Sequence, residues 1–299
     1  MRTPASVGER GMILLMVLLV ISLIMVMIAS LSRTGQTTRH SVSSAQQQLQ
    51  AKWQLLGAEV AVTAELQRQL GGNGGILPAA ADWLQPHSVR VSGGDVRYVL
   101  RDLGACFNLN WLLASVKRGQ KGSQDILTPD AWFQQLLGLI GAGQSLSVQR
   151  LQDMLQGYLF RDASQLLAVA AIPQAPWQRL LGQICVVSGL ADNPKLNVNG
   201  LTSDQLLLLQ AALKKPVDDG RLRQLLVSRP SKGWKDQKQI PVTLLDGLPI
   251  AALFRYSSND YELSLESAVP GGNWILRTYL HYDKQKMHVL YRQFEDNAE

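Results

Sequence analysis

The chain has 299 residues, of which 46% are hydrophobic and 17% charged, with a pI near 9.4 and a formal charge of +6. That apolar content excludes a wholly disordered chain, and the length allows one large core or two modest ones. Two cysteines, Cys106 and Cys185, exclude a disulfide scaffold or a cysteine zinc cluster and allow a single bridge, while the positive charge is spread along the chain instead of massed, which is weak ground for nucleic-acid binding.

The deficit in charge is concentrated near the start. From Met12 to Leu31 the chain reads MILLMVLLVISLIMVMIASL with no charged residue, and about 20 such residues match the roughly 30 Å hydrocarbon core of a bilayer. A membrane helix over 12–32 is therefore expected. Arg2 and Arg10 against Glu9 on the near flank favour a cytoplasmic N-terminus, with the rest across the membrane. A secretory signal would have a shorter apolar stretch and a small-residue cleavage site, for which 28–32 could loosely serve. Arg10-Gly11-Met12, a basic residue and a glycine against the apolar run, resembles instead the cleavage junction of type IV prepilins and type II secretion pseudopilins. Cutting after Gly11 would remove only the leader, 1–11. The fifth residue of that mature chain is Met16, where most pilin-like proteins carry glutamate.

After Leu31 the chain turns polar but has no proline until Pro78. Leu49, Trp53, Leu56 and Val60, then Leu66 and Leu70, recur at three- and four-residue steps with a slip between Val60 and Leu66. This predicts an amphipathic helix continuous with the membrane segment, stopped by Gly71-Gly72-Asn73-Gly74-Gly75. Alternation in 87–91 and 96–101, broken by Gly93-Gly94, predicts a β-hairpin. Leucine-rich stretches at 132–140, 148–160, 163–171, 177–181, 204–213 and 222–227 predict short helices, with a capping-box pattern at Thr202-Ser203-Asp204-Gln205. Alternation returns in 261–266, 274–282 and 286–294, split by Pro270-Gly271-Gly272 and Asp283-Lys284. Strands, helices and strands again predict an α+β fold: a long N-terminal helix on an antiparallel sheet, with an all-α domain inserted into the sheet domain.

His40, His87, His281 and His288 are scattered and form no zinc motif, and no nucleophile elbow, P-loop or dinucleotide fingerprint sits between a strand and a helix. Asp218-Asp219-Gly220 lacks the spaced partners of a calcium loop and reads as a turn. Two segments each present Asn-apolar-Asn: Asn108-Leu109-Asn110 and Asn197-Val198-Asn199. Asparagines so spaced can close turns through side-chain to backbone hydrogen bonds, either at a domain boundary or as two unrelated turns.

Taken together, the neighbours of these motifs carry a more specific resemblance. RDLGACFNLNWL, ending at Leu112, resembles the segment where the helical domain of GspK-type minor pseudopilins begins. Ala163 to Val169, Cys185 and then LNVNGL are similar to the family's later helical segment and its Asn-Val-Asn turn. Arg229 to Asp236 is similar to its closing element, and Trp53 with Gly57-Ala58-Glu59 to its N-terminal helix. K-class members typically lack the fifth-position glutamate, so Met16 agrees with the resemblance.

The resemblance implies a single-pass inner-membrane protein with its globular part in the periplasm, acting by assembly and not as an enzyme. Its divisions would be 1–11 leader, 12–32 membrane helix, 33–109 pilin-like helix and first strands, 110–253 helical insert and 254–299 closing strands. Prepilin peptidase would cut between Gly11 and Met12, and Met12 would be N-methylated. The implied partners are the I and J minor pseudopilins at the tip of a pseudopilus. Cys106 and Cys185, both beyond the membrane segment in an oxidising compartment, are expected to form a disulfide. Family members often have an acidic stretch associated with calcium; here 151–162 offers only Asp153 and Asp162, too few hard oxygen ligands by themselves, so no cofactor is expected. An alternative class rests on Lys214, Lys215, Arg221, Arg223, Arg229 and Lys232, whose segment resembles a helix-hairpin-helix group and would suit a membrane-tethered DNA receptor. Asp204, Asp218 and Asp219 interrupt that basic series.

Overall fold

The structure, a computed structural model, describes residues 7–78, 82–113, 126–143, 146–155, 157–169, 171–187, 194–215, 217–245, 250–269 and 272–297. The first six leader residues and Pro270-Gly271 lie outside the described residues. The chain begins with α1 (Val7–Gly72), 66 residues long, in a stretch without proline to interrupt its hydrogen bonds. It ends where Gly74 and Gly75 take φ of 65° and 83°. The Gly75 N–H then donates to the Leu70 carbonyl at 2.8 Å, satisfying one of the orphan carbonyls of the last turn.

A hairpin follows, β1 (His87–Val91) and β2 (Gly94–Asp102). The helical region then runs through β3 (Phe107–Asn108), α2 (Pro129–Ile140), α3 (Val148–Leu155), α4 (Gln165–Val169), α5 (Gln174–Leu181), β4 (Ile184–Cys185), β5 (Leu196–Asn197), α6 (Leu206–Ala212), α7 (Asp219–Val227), α8 (Val242–Leu245), α9 (Ile250–Leu253) and β6 (Phe254–Arg255). The chain closes with β7 (Asp260–Val269), β8 (Gly272–Asp283) and β9 (Lys286–Asn297). One sheet has the order β1-β2-β7-β8-β9, each neighbour antiparallel, so the whole helical region leaves after β2 and returns before β7.

Alternation explains why the sheet has two unlike faces. Along β7, Tyr261, Leu263 and Leu265 are buried, while Glu262, Ser264 and Glu266 are half-buried on the other side. The buried face receives Leu55, Ala58, Val62, Leu66 and Leu70 of α1, which pack with Val96, Leu100, Leu276 and Leu280. Three polar side chains of α1 fix its register in this apolar seam. Gln54 Nε2 donates to the Gly93 carbonyl at 2.6 Å, and its Oε1 accepts from Ser267 Oγ at 2.8 Å. The buried Glu59 accepts from both Arg292 Nε and Nη2 at 2.7 Å and from Thr278 Oγ1 at 2.9 Å. Gln67 Oε1 accepts the Met287 N–H at 2.9 Å.

The helical region has its own core, centred on aromatic rings. Phe107 meets Trp132 edge-on at 5.3 Å and stacks on Phe133 at 5.2 Å, and the Trp132 indole donates to the Leu208 carbonyl at 2.9 Å, so its one polar atom is satisfied in the interior. Its longest described helix, α2, is delimited as its sequence dictates: Thr128 caps it, Pro129 opens it, and Gly141 at φ 82° closes it.

Several expectations are revised. The helix predicted over 148–160 stops at Leu155, with Gly157 at φ 87°, and that predicted over 163–171 is reduced to Gln165–Val169. The helix at 204–213 starts as a 3₁₀ turn, Ser203–Gln205, in which Thr202 and Gln205 cap each other. The amphipathic stripe predicted on α1 resolves into two faces. Leu49, Trp53 and Val60 do not face the sheet: Trp53 is 70% and Val60 68% exposed. At about 100° per residue, these and Val42 lie roughly 140° around the helix from the packed stripe. The slip after Val60 thus arises because two apolar stripes lie on different faces and overlap in sequence between Leu55 and Val60. Among the described residues no helix is long and apolar enough to cross a membrane; within the apolar run, side chains are described at 12 and 14–28.

The Glu59–Arg292 pair should behave as a buried carboxylate that needs its counter-charge. Replacing Arg292 alone by Leu should cost the full chain in detergent about 2–3 kcal/mol, because Glu59 stays buried with only Thr278. Replacing Glu59 and Arg292 together by Leu should cost less than Arg292→Leu alone, read from urea midpoints.

Candidate assembly surfaces and the domain junction

The sheet and the helical region meet where the two Asn-apolar-Asn segments lie, and both segments make the same construction. Asn108 closes β3 and Asn197 closes β5, each in a two-residue parallel bridge, to β4 and β6 respectively. The Oδ1 of each accepts the N–H two residues on: Asn110 at 3.1 Å, Asn199 at 3.2 Å. The second asparagine then clamps a distant strand of backbone with its amide. Asn110 accepts the Phe160 N–H at 2.8 Å and donates to the Phe160 and Val187 carbonyls. Asn199 accepts the Trp234 N–H at 2.7 Å and donates to the Trp234 and Tyr256 carbonyls. These are buried groups whose every contact replaces water, which is why an amide with both donor and acceptor is required.

Between the two constructions sits Asp102, the last residue of β2. It is buried and accepts from the Gly104 N–H at 2.7 Å and Asn197 Nδ2 at 2.6 Å. Burial pushes its carboxyl above the ordinary range, opposed by hydrogen bonds from Ser258, Gly104 and Asn197 and by the charge of Arg255. The surroundings are tight: a Cβ on Gly200 would come within 2.5 Å of Asp102 Oδ2 and 2.9 Å of Ala105 Cβ. Asparagine spacing suggested turns here, but nothing in the sequence pattern marks Asp102 as their shared buried partner.

Cys106 and Cys185 are joined, with Cα atoms 5.8 Å apart and 79 residues of separation. The bridge lies beside the β3–β4 pair and closes a loop for which chain entropy gives about 4 kcal/mol. Gly11, Met12 and Met16 are placed along α1, Met12 and Met16 being strongly exposed. The two carboxylates considered for calcium have separate duties. Asp153 Oδ1 accepts from Gln149 Nε2 on the same helix, and Asp162 Oδ1 accepts the Ser164 N–H at 2.7 Å. Calcium takes about six to eight oxygens, and among the described residues no group of three or more His, Cys, Asp or Glu converges. Of the basic series in the same region, Arg229 is turned inward, its Nη1 donating to the carbonyls of Val198, Asn199 and Leu201.

Among the described residues, α1 and the sheet edge carry exposed apolar surfaces. The side chains of 14–28 are apolar apart from Ser22 and exposed. The second stripe of α1, Val42, Leu49, Trp53 and Val60, faces away from the sheet. At the sheet edge, β9 exposes Leu290 and Phe294, the latter under the Lys52 ammonium at 5.1 Å. Such contiguous apolar stripes mark surfaces for other proteins or for lipid.

No family model matches the chain. It is similar to type II secretion system protein K of Klebsiella pneumoniae, 31% identical over 256 residues that cover 76% of this chain and 77% of that protein. It is also similar to type II secretion system protein K of Aeromonas hydrophila, 24% identical over 99% of this chain and 100% of that one. Among solved structures, one from the GspK-GspI-GspJ complex of the enterotoxigenic Escherichia coli type 2 secretion system has the same fold, with a TM-score of 0.63 at 20% identity, covering 85% of this chain and 99% of that chain.

Asp102 gives the junction a signed pH dependence. Its carboxyl is raised in the folded state, so its contribution is fully present below its unfolded pKa and lost as pH rises through the folded value. Compared with Asp102→Asn, which cannot titrate, the parent chain should therefore gain stability as pH falls from 7 to 4. Urea midpoints of the two proteins over that range check the slope, and the opposite sign would refute the assignment.

Proposed function

The chain belongs to the type II secretion system protein K family, and on that premise we propose that it is a minor pseudopilin that works by assembly, anchored in the inner membrane with its globular part in the periplasm. The observation that carries this reading is the second apolar stripe of α1. A helix that buries one stripe on its own sheet and exposes another at Val42, Leu49, Trp53 and Val60 is built to pack against a second helix. The proposed occupant is the corresponding long helix of another pseudopilin. The related solved protein forms a complex with GspI and GspJ, which supports the I and J minor pseudopilins as partners here.

Processing follows the same reading. Prepilin peptidase cuts after Gly11, Met12 becomes the N-methylated start, and 12–32 crosses the bilayer. The Cys106–Cys185 bridge suits an oxidising periplasm. The division into a pilin-like part, 33–109 with 254–299, and a helical insert, 110–253, accords with departure of the chain after β2 and its return before β7.

Position in the pseudopilus comes from charge. In a pilin-like filament a glutamate near the start of the mature helix neutralises the terminal amine of the subunit above, and an unpaired ammonium buried there would cost several kcal/mol. Met16 offers no such charge, so this subunit cannot support a neighbour above it, while its own amine at Met12 can still be paired from below. That is the requirement of a tip subunit. The bulk of a helical insert favours the same position, since it fits at an end more easily than within a closely spaced shaft.

Deleting the gene should stop export of folded periplasmic proteins, measured as exoprotein in the medium, and the full chain supplied in trans should restore it. Undiminished secretion in the deletion strain would end the proposal.

A further inference from the structure

A cleft of about 730 Å³ opens between the sheet and the helical region, and three arginines reach it from different elements: Arg101 of β2, Arg223 of α7 and Arg229 beyond α7. Two of these heads are held by backbone. Arg101 donates from Nη2 to the carbonyls of Leu181, Gly182 and Ile184, the last at 2.8 Å. Arg229 donates from Nη1 alone to three carbonyls, the nearest that of Asn199 at 2.6 Å. A guanidinium carries five N–H donors in a fixed fork, so each head is aimed while its other edge remains for a ligand. Arg223 is exposed at the cleft. Among the described residues no carboxylate forms an ion pair with any of the three; the one acidic residue of the lining is Asp204.

The rest of the lining is not that of a simple anion hole. Leu84, Leu226 and Val227 contribute an apolar wall, with Val227 85% exposed at the rim. Inorganic phosphate has no use for such a wall, whereas a peptide alternating acidic and apolar side chains uses both. The acidic pair Glu295-Asp296 of β9 does not supply it. Asn297 pairs with Asn273 at one end of the sheet, while Arg101 is opposite Glu262 towards the other. Burial pushes the pKa of the Arg101 and Arg229 guanidinium groups down, partly offset at a distance by Glu262 and Asp82 respectively.

We propose that this cleft receives an extended acidic segment of a partner protein, its carboxylates meeting Arg223 and the open edges of Arg101 and Arg229 and an apolar side chain resting on Leu226 and Val227. The inference rests on the assembly reading only in that the occupant is a protein. Bidentate carboxylate–guanidinium pairs supply the geometry, and their charge makes the interaction sensitive to salt.

The test uses the full chain in detergent and a fluorescein-labelled hexapeptide of alternating aspartate and leucine, followed by anisotropy, with the asparagine–leucine hexapeptide as control. The aspartate peptide should bind, the asparagine peptide should bind at least tenfold more weakly, and salt should weaken the former. Arg223→Glu and Val227→Asp, both at exposed positions, should each lower affinity at least tenfold with an unchanged thermal midpoint. Arg90→Glu, on the β1–β2 hairpin, should leave it unaltered. Equal binding of the two peptides, no binding of either, or indifference to Arg223→Glu would overturn the proposal. So would displacement by inorganic phosphate at the peptide's own concentration, which would make the cleft a small-anion site. Loss of secretion on gene deletion is read separately, so failure of the peptide experiment removes the cleft proposal without touching the assembly reading.

Discussion

One carboxylate, Glu59, sits buried in the C-terminal part of α1, where the helix packs on the sheet. Its two oxygens are taken up by Arg292 on the edge strand and Thr278 on its neighbour. An apolar helix on an apolar sheet can slide or rotate at little cost, since one leucine contact replaces another. A buried carboxylate cannot, because leaving its partners strands a charge in the interior. With Gln54 at the β1–β2 turn and Gln67 at the start of β9, the seam is fixed in both translation and rotation. Once rotation is fixed, Trp53 and Val60 must face outward.

The same economy of polar groups holds the second half of the fold. The helical region hangs from the sheet through residues at the end of β2 and the segments after it: Arg101 closing onto the carbonyls after α5, Asp102 between Gly104 and Asn197, and the disulfide at Cys106. Asn73, just past the end of α1, adds a further tie, donating to the Lys232 carbonyl at 2.8 Å. Because these ties come from several elements and include the buried Asp102 and the disulfide, the two cores are held in one arrangement, and the cleft between them keeps its arginines aimed. Rigid presentation of that kind lowers the ordering cost of binding.

Much of this was legible in the residues. The glycine run after Leu70, the Gly93-Gly94 turn and the alternation from Tyr261 onward locate the ends of α1 and the main strands, since each depends on local backbone preference or a two-residue period. The paired asparagines pointed to turns for the same reason. What local pattern could not supply was the identity of long-range partners. Trp53 and Val60 read as one side of an amphipathic helix, but a stripe at helical spacing is the same whether it meets the protein's own sheet or another subunit. Alternation places Arg101 on a strand but names no partner for Arg101 or Asp102, and their roles appear only when β2, β5 and the end of α5 are brought together. The two-residue parallel bridges are too short to leave a period. Helices at 148–160 and 163–171 were overextended because leucine content outlasts the hydrogen bonds that tertiary packing supports.

In the proposed assembly the outward stripe of α1 is the seam for another pseudopilin's helix. Single cysteines at Trp53 and Val60, with flanking controls at Lys52 and Ala61, in an otherwise functional full chain and a strain carrying the whole secretion system, put this to a direct measurement. Oxidative cross-linking to cysteines along the helices of the other pseudopilins should be strong at 53 and 60, weak at 52 and 61, and confined to minor pseudopilins. Equal cross-linking at all four positions, or none at 53 and 60 while secretion proceeds, would contradict it.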